Sequence, residues 1–157
     1  MRFVGLTPEL LRLLPLRDPR AAGWMSSDYI AAATVPGMGF AALDGGYVLG
    51  GGGLVRFWHG RALAWMLPGR FAELRHIREA ARFARRWLDG MQRAPEFRRI
   101  ECHVLAGFRP GMRFVRELGF TAEATLEAWD ADGNDHVQFK RIAPAIGACH
   151  LAAEAAE

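Results

Sequence analysis

Glu101, Cys102 and His103 stand side by side in an apolar run, Ile100 to Leu105, so a carboxylate, a thiol and an imidazole share one short segment. Groups of these three types transfer protons and attack carbonyl carbon in many enzymes. Adjacent residues on a strand point to opposite faces, so Cys102 and His103 do not make a nucleophile and its base. Cys102 reads as a small core residue. Cys102 and Cys149 are the sole cysteines, which spells out neither a disulfide framework nor a zinc site. A second group of interest is Arg70, Arg75 and Arg78 at the start of a helical stretch, where the positive end of the helix and the guanidinium groups both favour a phosphate. A third is the glycine run Gly50 to Gly53. Phosphate-cradling loops follow a strand and open a helix, whereas this run continues into Leu54-Val55-Arg56-Phe57-Trp58, so it reads as a strand bulge or a site of close packing.

The elements that carry these residues follow from periodicity. Phe3 and Val4 begin a strand, and Thr7-Pro8-Glu9 starts a helix with a capping hydroxyl, an early proline and an acid in the first turn; Leu10, Leu11, Leu13 and Leu14 form its buried face, and Pro15 ends it. Asp18-Pro19 is a second start signal, before a weaker helical stretch from Trp24 to Ala33. Met38, Phe40 and Ala42 then alternate with small residues. Asp44-Gly45-Gly46 and His59-Gly60 turn an antiparallel meander whose later strands are Tyr47 to Trp58 and Arg61 to Leu67. From Ala72 to Met91 the apolar residues Leu74, Ile77, Ala81, Ala84, Leu88 and Met91 make one stripe, with Phe83 and Trp87 on its flanks. Arg75, Arg78, Arg82, Arg85 and Arg86 cover the other side as a solvated face, with Glu79 and Asp89 placed to pair with some of them. A strand over Ile100 to Leu105, arriving after this crossover helix, lies parallel to Arg61 to Leu67. Arg109-Pro110 opens a last helix that packs through Met112, Phe114, Val115 and Leu118 and stops at Gly119. Ala122 to Trp129, a turn at Asp130 to Gly133, and His136 to Arg141 form a closing hairpin.

The order is therefore β-α-α-β-β-β-α-β-α-β-β, an α/β (α+β) class with a mixed central sheet of six to seven strands and helices on both faces. Length and the 51% apolar content suit one domain, residues 1–142, followed by an alanine-rich tail, 143–157. No secretory signal and no long uncharged apolar run is present, so a cytoplasmic, soluble protein without membrane contact is expected. A net charge of +3 rests almost wholly on arginine, since Lys140 is the sole lysine. That charge is interspersed with acid and forms no long run, which argues against nucleic acid as a main partner.

This order, and the segment Val104-Leu105-Ala106-Gly107-Phe108-Arg109-Pro110 running on to Leu118-Gly119-Phe120, resembles the GNAT superfamily of N-acetyltransferases. Within that superfamily the Trp65-containing strand is similar to small acetyltransferase-like proteins of bacteriophages and gene-transfer particles. The resemblance implies acetyl transfer from acetyl-coenzyme A to an amine, without a metal. It implies that the fourth and fifth strands splay, that Trp65, Met66 and Leu67 receive the pantetheine arm, and that a loop from Gly69 to His76 receives the pyrophosphate with help from Arg70, Arg75, His76 and Arg78. The family loop is usually Arg/Gln-x-x-Gly-x-Gly/Ala. Here Glu73, His76 and Arg78 stand at those positions, and Glu73 disfavours phosphate. The tyrosine that protonates the leaving thiolate in many members is replaced by Val115, and the asparagine at the start of the same helix by Phe108. His103 and Glu101 are then the expected proton-transfer residues, with His59 and Asp28 as further titratable groups near the cleft. A catalytically inactive phage or gene-transfer-particle accessory or virion component is the alternative expectation.

Overall fold

The computed structural model describes residues 1–18 and 25–144. Pro19 to Trp24 and the tail from residue 145, which includes Cys149, lie outside the described residues. Two glycine turns set the meander. β2 (Gly39–Asp44) and β3 (Tyr47–Trp58) meet across Gly45 and Gly46, both at positive φ (54° and 83°), as a two-residue hairpin requires. Gly60, at φ 90°, turns β3 into β4 (Arg61–Pro68). β1 (Arg2–Gly5) pairs with β2 at the outer edge.

The glycine run lies inside β3 as a close-packed strand. A Cβ on Gly53 would stand 2.5 Å from the Met38 carbonyl oxygen, and one on Gly52 would stand 3.1 Å from the Phe40 ring. The β2–β3 register shifts between Ala42 and Leu43, so that Ala42 faces Gly50 and Leu43 faces Val48. Bulge and close approach therefore both occur.

Thr7 caps α1 (Pro8–Arg12) by accepting from the Leu10 amide, as its position suggests. The helix is only five residues long, and Leu13, its C-cap, turns outward at 68% exposure while Leu11 and Leu14 are buried. α2 (Ser27–Ala33) starts at a Ser26 cap. α3 (Leu74–Met91) buries Ala81, Ala84 and Leu88 as its stripe indicates, together with His76 and Ala80. Leu74 is in phase with that stripe but 65% exposed as the first helical residue, while Ala72 before it is buried and Ile77 one turn later packs against the core. A 3-10 turn, Pro95–Phe97, leads into β5 (Arg99–Leu105). α4 (Arg109–Glu117) ends in a Schellman motif: the Phe120 amide donates to the Val115 carbonyl, the Gly119 amide to that of Arg116, and Gly119 has φ 89°. β6 (Thr121–Leu126) and β7 (His136–Ile142) close the chain.

The seven strands form one mixed sheet in the order β1-β2-β3-β4-β5-β7-β6. Strand alternation sends Phe40, Leu54, Ile100 and Phe139 to a core under α3 and α4. Ala41 and Val48 go to the opposite face, under Leu11 and Leu14 at α1 and Ile30 and Ala33 of α2. No helix among the described residues is long and apolar enough to cross a membrane.

Candidate functional site: the gap between β4 and β5

β4 and β5 run parallel and pair at Arg61–Arg99, Ala62–Ile100 and Leu63–Glu101, and there the pairing stops. Beyond that point both strands continue, β4 to Pro68 and β5 to Leu105, with β5 bonded instead to β7 along its far side. The result is a V-shaped gap in the middle of the sheet. Which β4 groups face it follows from the ladder with β3. The Gly69 amide donates to the Leu49 carbonyl, and hydrogen-bonded pairs alternate along an antiparallel ladder, so Leu67 and Trp65 bond back to Gly51 and Gly53. Met66, between them, directs its own N–H and C=O into the gap.

Residues of odd number on β5 share a sheet face with Leu63 and Trp65, away from α3 and α4. Two candidate proton carriers lie there. Glu101 is 1% exposed and receives hydrogen bonds from Arg61, at 2.6 Å, and from Arg99. Burial pushes its carboxyl up, but the two guanidinium groups outweigh that and hold it below the usual carboxylate range. A carboxylate fixed in this way is a structural anion and a poor base. His103, half-buried, packs edge-to-face on Trp129 with ring centroids 4.7 Å apart. Burial lowers its pKa below the ordinary histidine value despite the nearby Glu101 charge, which keeps the imidazole neutral and able to accept a proton at neutral pH. On the β4 side of the gap Trp65 packs edge-to-face on Tyr29 of α2, ring centroids 6.0 Å apart, and burial raises the Tyr29 hydroxyl to about 12. The Trp65 indole N–H is buried with no hydrogen-bond partner among the described residues. On the opposite face Cys102 is buried and its thiol is pushed up to about 12, which makes it inert.

The open end of the gap is dressed by the chain itself. Leu16 bridges to Gly69; the Arg17 amide donates to the Pro68 carbonyl, the Arg70 amide donates to Pro15, and the Arg17 side chain donates to the Ala72 carbonyl. At the start of α3, Glu73 and His76 form a reciprocal cap. The Glu73 carboxylate accepts from the His76 amide, and His76 Nδ1 accepts from the Glu73 amide at 3.0 Å. Arg75 pairs with Glu73 at 2.9 Å. The other ring nitrogen, His76 Nε2, is buried 3.4 Å from Asp44 Oδ2.

No protein-family model matches the chain, and no curated protein matches it. Solved structures do. A chimera of the spermidine N-acetyltransferase SpeG from Vibrio cholerae with hSSAT superimposes with a TM-score of 0.68, at 16% identity over 90% of this chain and 96% of that one. Ard1 from Thermoplasma volcanium gives a TM-score of 0.68, at 14% identity over 91% of this chain and 97% of that one. A GNAT-family acetyltransferase from Bacillus anthracis gives 0.56, at 14% identity over 67% and 66%. The fold is the GNAT fold.

In GNAT terms the sequence expectations divide. Of Trp65, Met66 and Leu67, Met66 has its backbone in the gap, while Trp65 and Leu67 offer side chains to the α2 face. Arg70, Arg75 and Arg78 are exposed near the open end, and His76 is buried as a helix cap. His103 and Glu101 share one face, but Glu101 is committed to its arginines. His59 lies in the turn at the closed end, away from the opening, and Asp28 is exposed in the first turn of α2. Sequence reading passed over Tyr29, Trp129 and the Leu16–Arg17 strap, because each acts through a long-range contact that no local spacing marks. Tested against acetyl-coenzyme A, the strand edge at Met66 fits the amides of a pantetheine arm. The α3 terminus does not fit the diphosphate, since a carboxylate of the chain already takes the His76 amide.

Proposed function

We propose that the chain is an acyltransferase of the N-acetyltransferase type, taking an acetyl thioester on a pantetheine arm in the β4–β5 gap and an amine acceptor from the face of His103 and Trp65. Acetyl-coenzyme A is the donor the fold implies, and only its arm finds a matching surface here. The observation that carries the reading is the splay of β4 from β5 beyond Leu63 and Glu101, which leaves the Met66 backbone groups unpaired beside the opening. Such a gap in a central sheet costs hydrogen bonds unless something fills it. In the reaction the amine nitrogen bonds to the thioester carbonyl carbon, the C–S bond breaks, and the amine proton passes to His103 while the thiolate leaves. Val115 and Phe108 offer no acid to that thiolate.

The test is a pH–rate profile with S-acetyl-pantetheine and a panel of primary amines. The expected limb falls as pH drops through a pKa below 6.5, and His103→Gln removes that limb with at least an order-of-magnitude loss in kcat. A His103→Gln enzyme with the unaltered profile excludes this role. A second reading, a non-catalytic scaffold, is favoured by the Glu73 cap at the helix terminus. It requires that no pantetheine thioester bind at all. Nothing in the comparisons bears on a bacteriophage or gene-transfer-particle origin.

A further inference from the structure

We infer that the acyl donor is a thioester on the phosphopantetheine arm of an acidic carrier protein that docks on the arginine face of α3, an inference that rests on the acyl-transfer reading above. The first observation is the sealed anion seat. Glu73 caps the α3 terminus, and the strap of Pro15 to Arg17 takes the Pro68 carbonyl and the Arg70 amide at the end of β4. A free coenzyme would bring a diphosphate to this place, against a carboxylate. An arm attached to a carrier protein brings a single phosphodiester.

The second observation is a row of guanidinium groups beside that entrance, most of them without a carboxylate partner. Arg75, Arg78, Arg82 and Arg85 recur every three or four residues on α3, with Arg86 four beyond Arg82, a span of about 16 Å at the helical rise. Arg75 is held by Glu73, and Arg85 donates to the Glu117 carbonyl at 3.2 Å. Asp89, which the sequence places near them, pairs instead with Arg141 of β7. Among the described residues Arg78, Arg82 and Arg86 have no carboxylate within ion-pair distance. Arg78, Arg82 and Arg85 open onto a recess of about 300 Å³ whose far wall is Glu117. Repeated cations with one carboxylate at the rim suit the mixed, mostly acidic surface of a protein helix better than the continuous phosphates of a nucleic acid. The row begins at the helix end where an arm enters the gap, so docking and delivery use adjoining surfaces.

The test is calorimetry at about 50 mM salt with acetyl-coenzyme A, S-acetyl-pantetheine, an acidic acyl carrier protein loaded with S-acetyl-phosphopantetheine, and a DNA duplex of about 20 base pairs. The loaded carrier is expected to bind at least about tenfold tighter than S-acetyl-pantetheine, and acetyl-coenzyme A no tighter than it. R82E/R86E, both exposed and outside the gap, should weaken the carrier about tenfold and leave S-acetyl-pantetheine unchanged. Glu73→Gln should tighten acetyl-coenzyme A about fivefold or more. The inference is overturned if acetyl-coenzyme A binds wild-type protein about tenfold tighter than S-acetyl-pantetheine, if the carrier ignores R82E/R86E, or if the duplex outcompetes the carrier. If none of the thioesters binds, the acyl-transfer reading itself falls.

Discussion

Glu101 and His103 are two residues apart on one strand, yet their surroundings give them opposite work. Two guanidinium groups keep Glu101 charged, whereas burial against Trp129 keeps His103 neutral. Glu101→Gln should cost about 2 kcal/mol in urea unfolding, below the usual figure for a buried pair because each arginine stays about one-third exposed. Acid should act the same way on the network. Glu101, Glu123 and Asp130 all titrate below their ordinary values, the last two at about 2, Glu123 through Arg99 and Lys140 and Asp130 through Asn134. Their folded forms hold fewer protons than the unfolded chain, so the stability they add is present above about pH 4.5 and is lost as pH falls toward 2. Urea midpoints measured across that window should fall, and Glu123→Gln should flatten the fall. An unchanged slope in that variant would remove Glu123 from the explanation.

At the scale of elements, β3 shows how glycine permits close strand approach. Gly53→Ala puts a methyl 2.5 Å from the carbonyl oxygen of Met38, the residue just before β2, and should destabilise by about 3 kcal/mol, while Gly51→Ala, whose nearest neighbour is 3.5 Å away, should cost under about 1 kcal/mol. Equal urea midpoints for the two variants would contradict the packing reading. The sequence carries this much directly: a four-glycine run that cannot open a helix must sit in a strand, and the Thr7 cap, the Gly45-Gly46 turn and the Gly119 stop all appear where their chemistry demands. It does not carry the short α1 or the exposure of Leu13 and Leu74. Apolar spacing marks the phase of a helix but not where its tertiary partner ends. Nor does spacing reveal that Glu73 and His76 satisfy each other, although the pair sits in plain view at capping-box distance.

For the whole molecule, the β2–β3–β4 meander, the closing β6–β7 hairpin and the parallel β4–β5 pairing follow from the turns, the crossover helix and its handedness, whereas the insertion of β7 between β5 and β6 does not. Nor does the place where β4 and β5 part, since β5 reads as one continuous apolar strand and pairs with β7 over its whole length, on both sides of the point where β4 leaves it. That parting makes a gap flanked on one face by Trp65 and Tyr29 and by His103 and Trp129, beneath a helix whose outer side is a row of arginines. Amide hydrogen exchange resolved at Met66, with and without S-acetyl-pantetheine, probes the gap most directly. The Met66 amide should exchange faster than its neighbours Trp65 and Leu67 in the free protein, and slow by about tenfold or more when the arm binds. A Met66 amide already as protected as those neighbours, or one whose exchange is unmoved by saturating thioester, would contradict a donor site between β4 and β5.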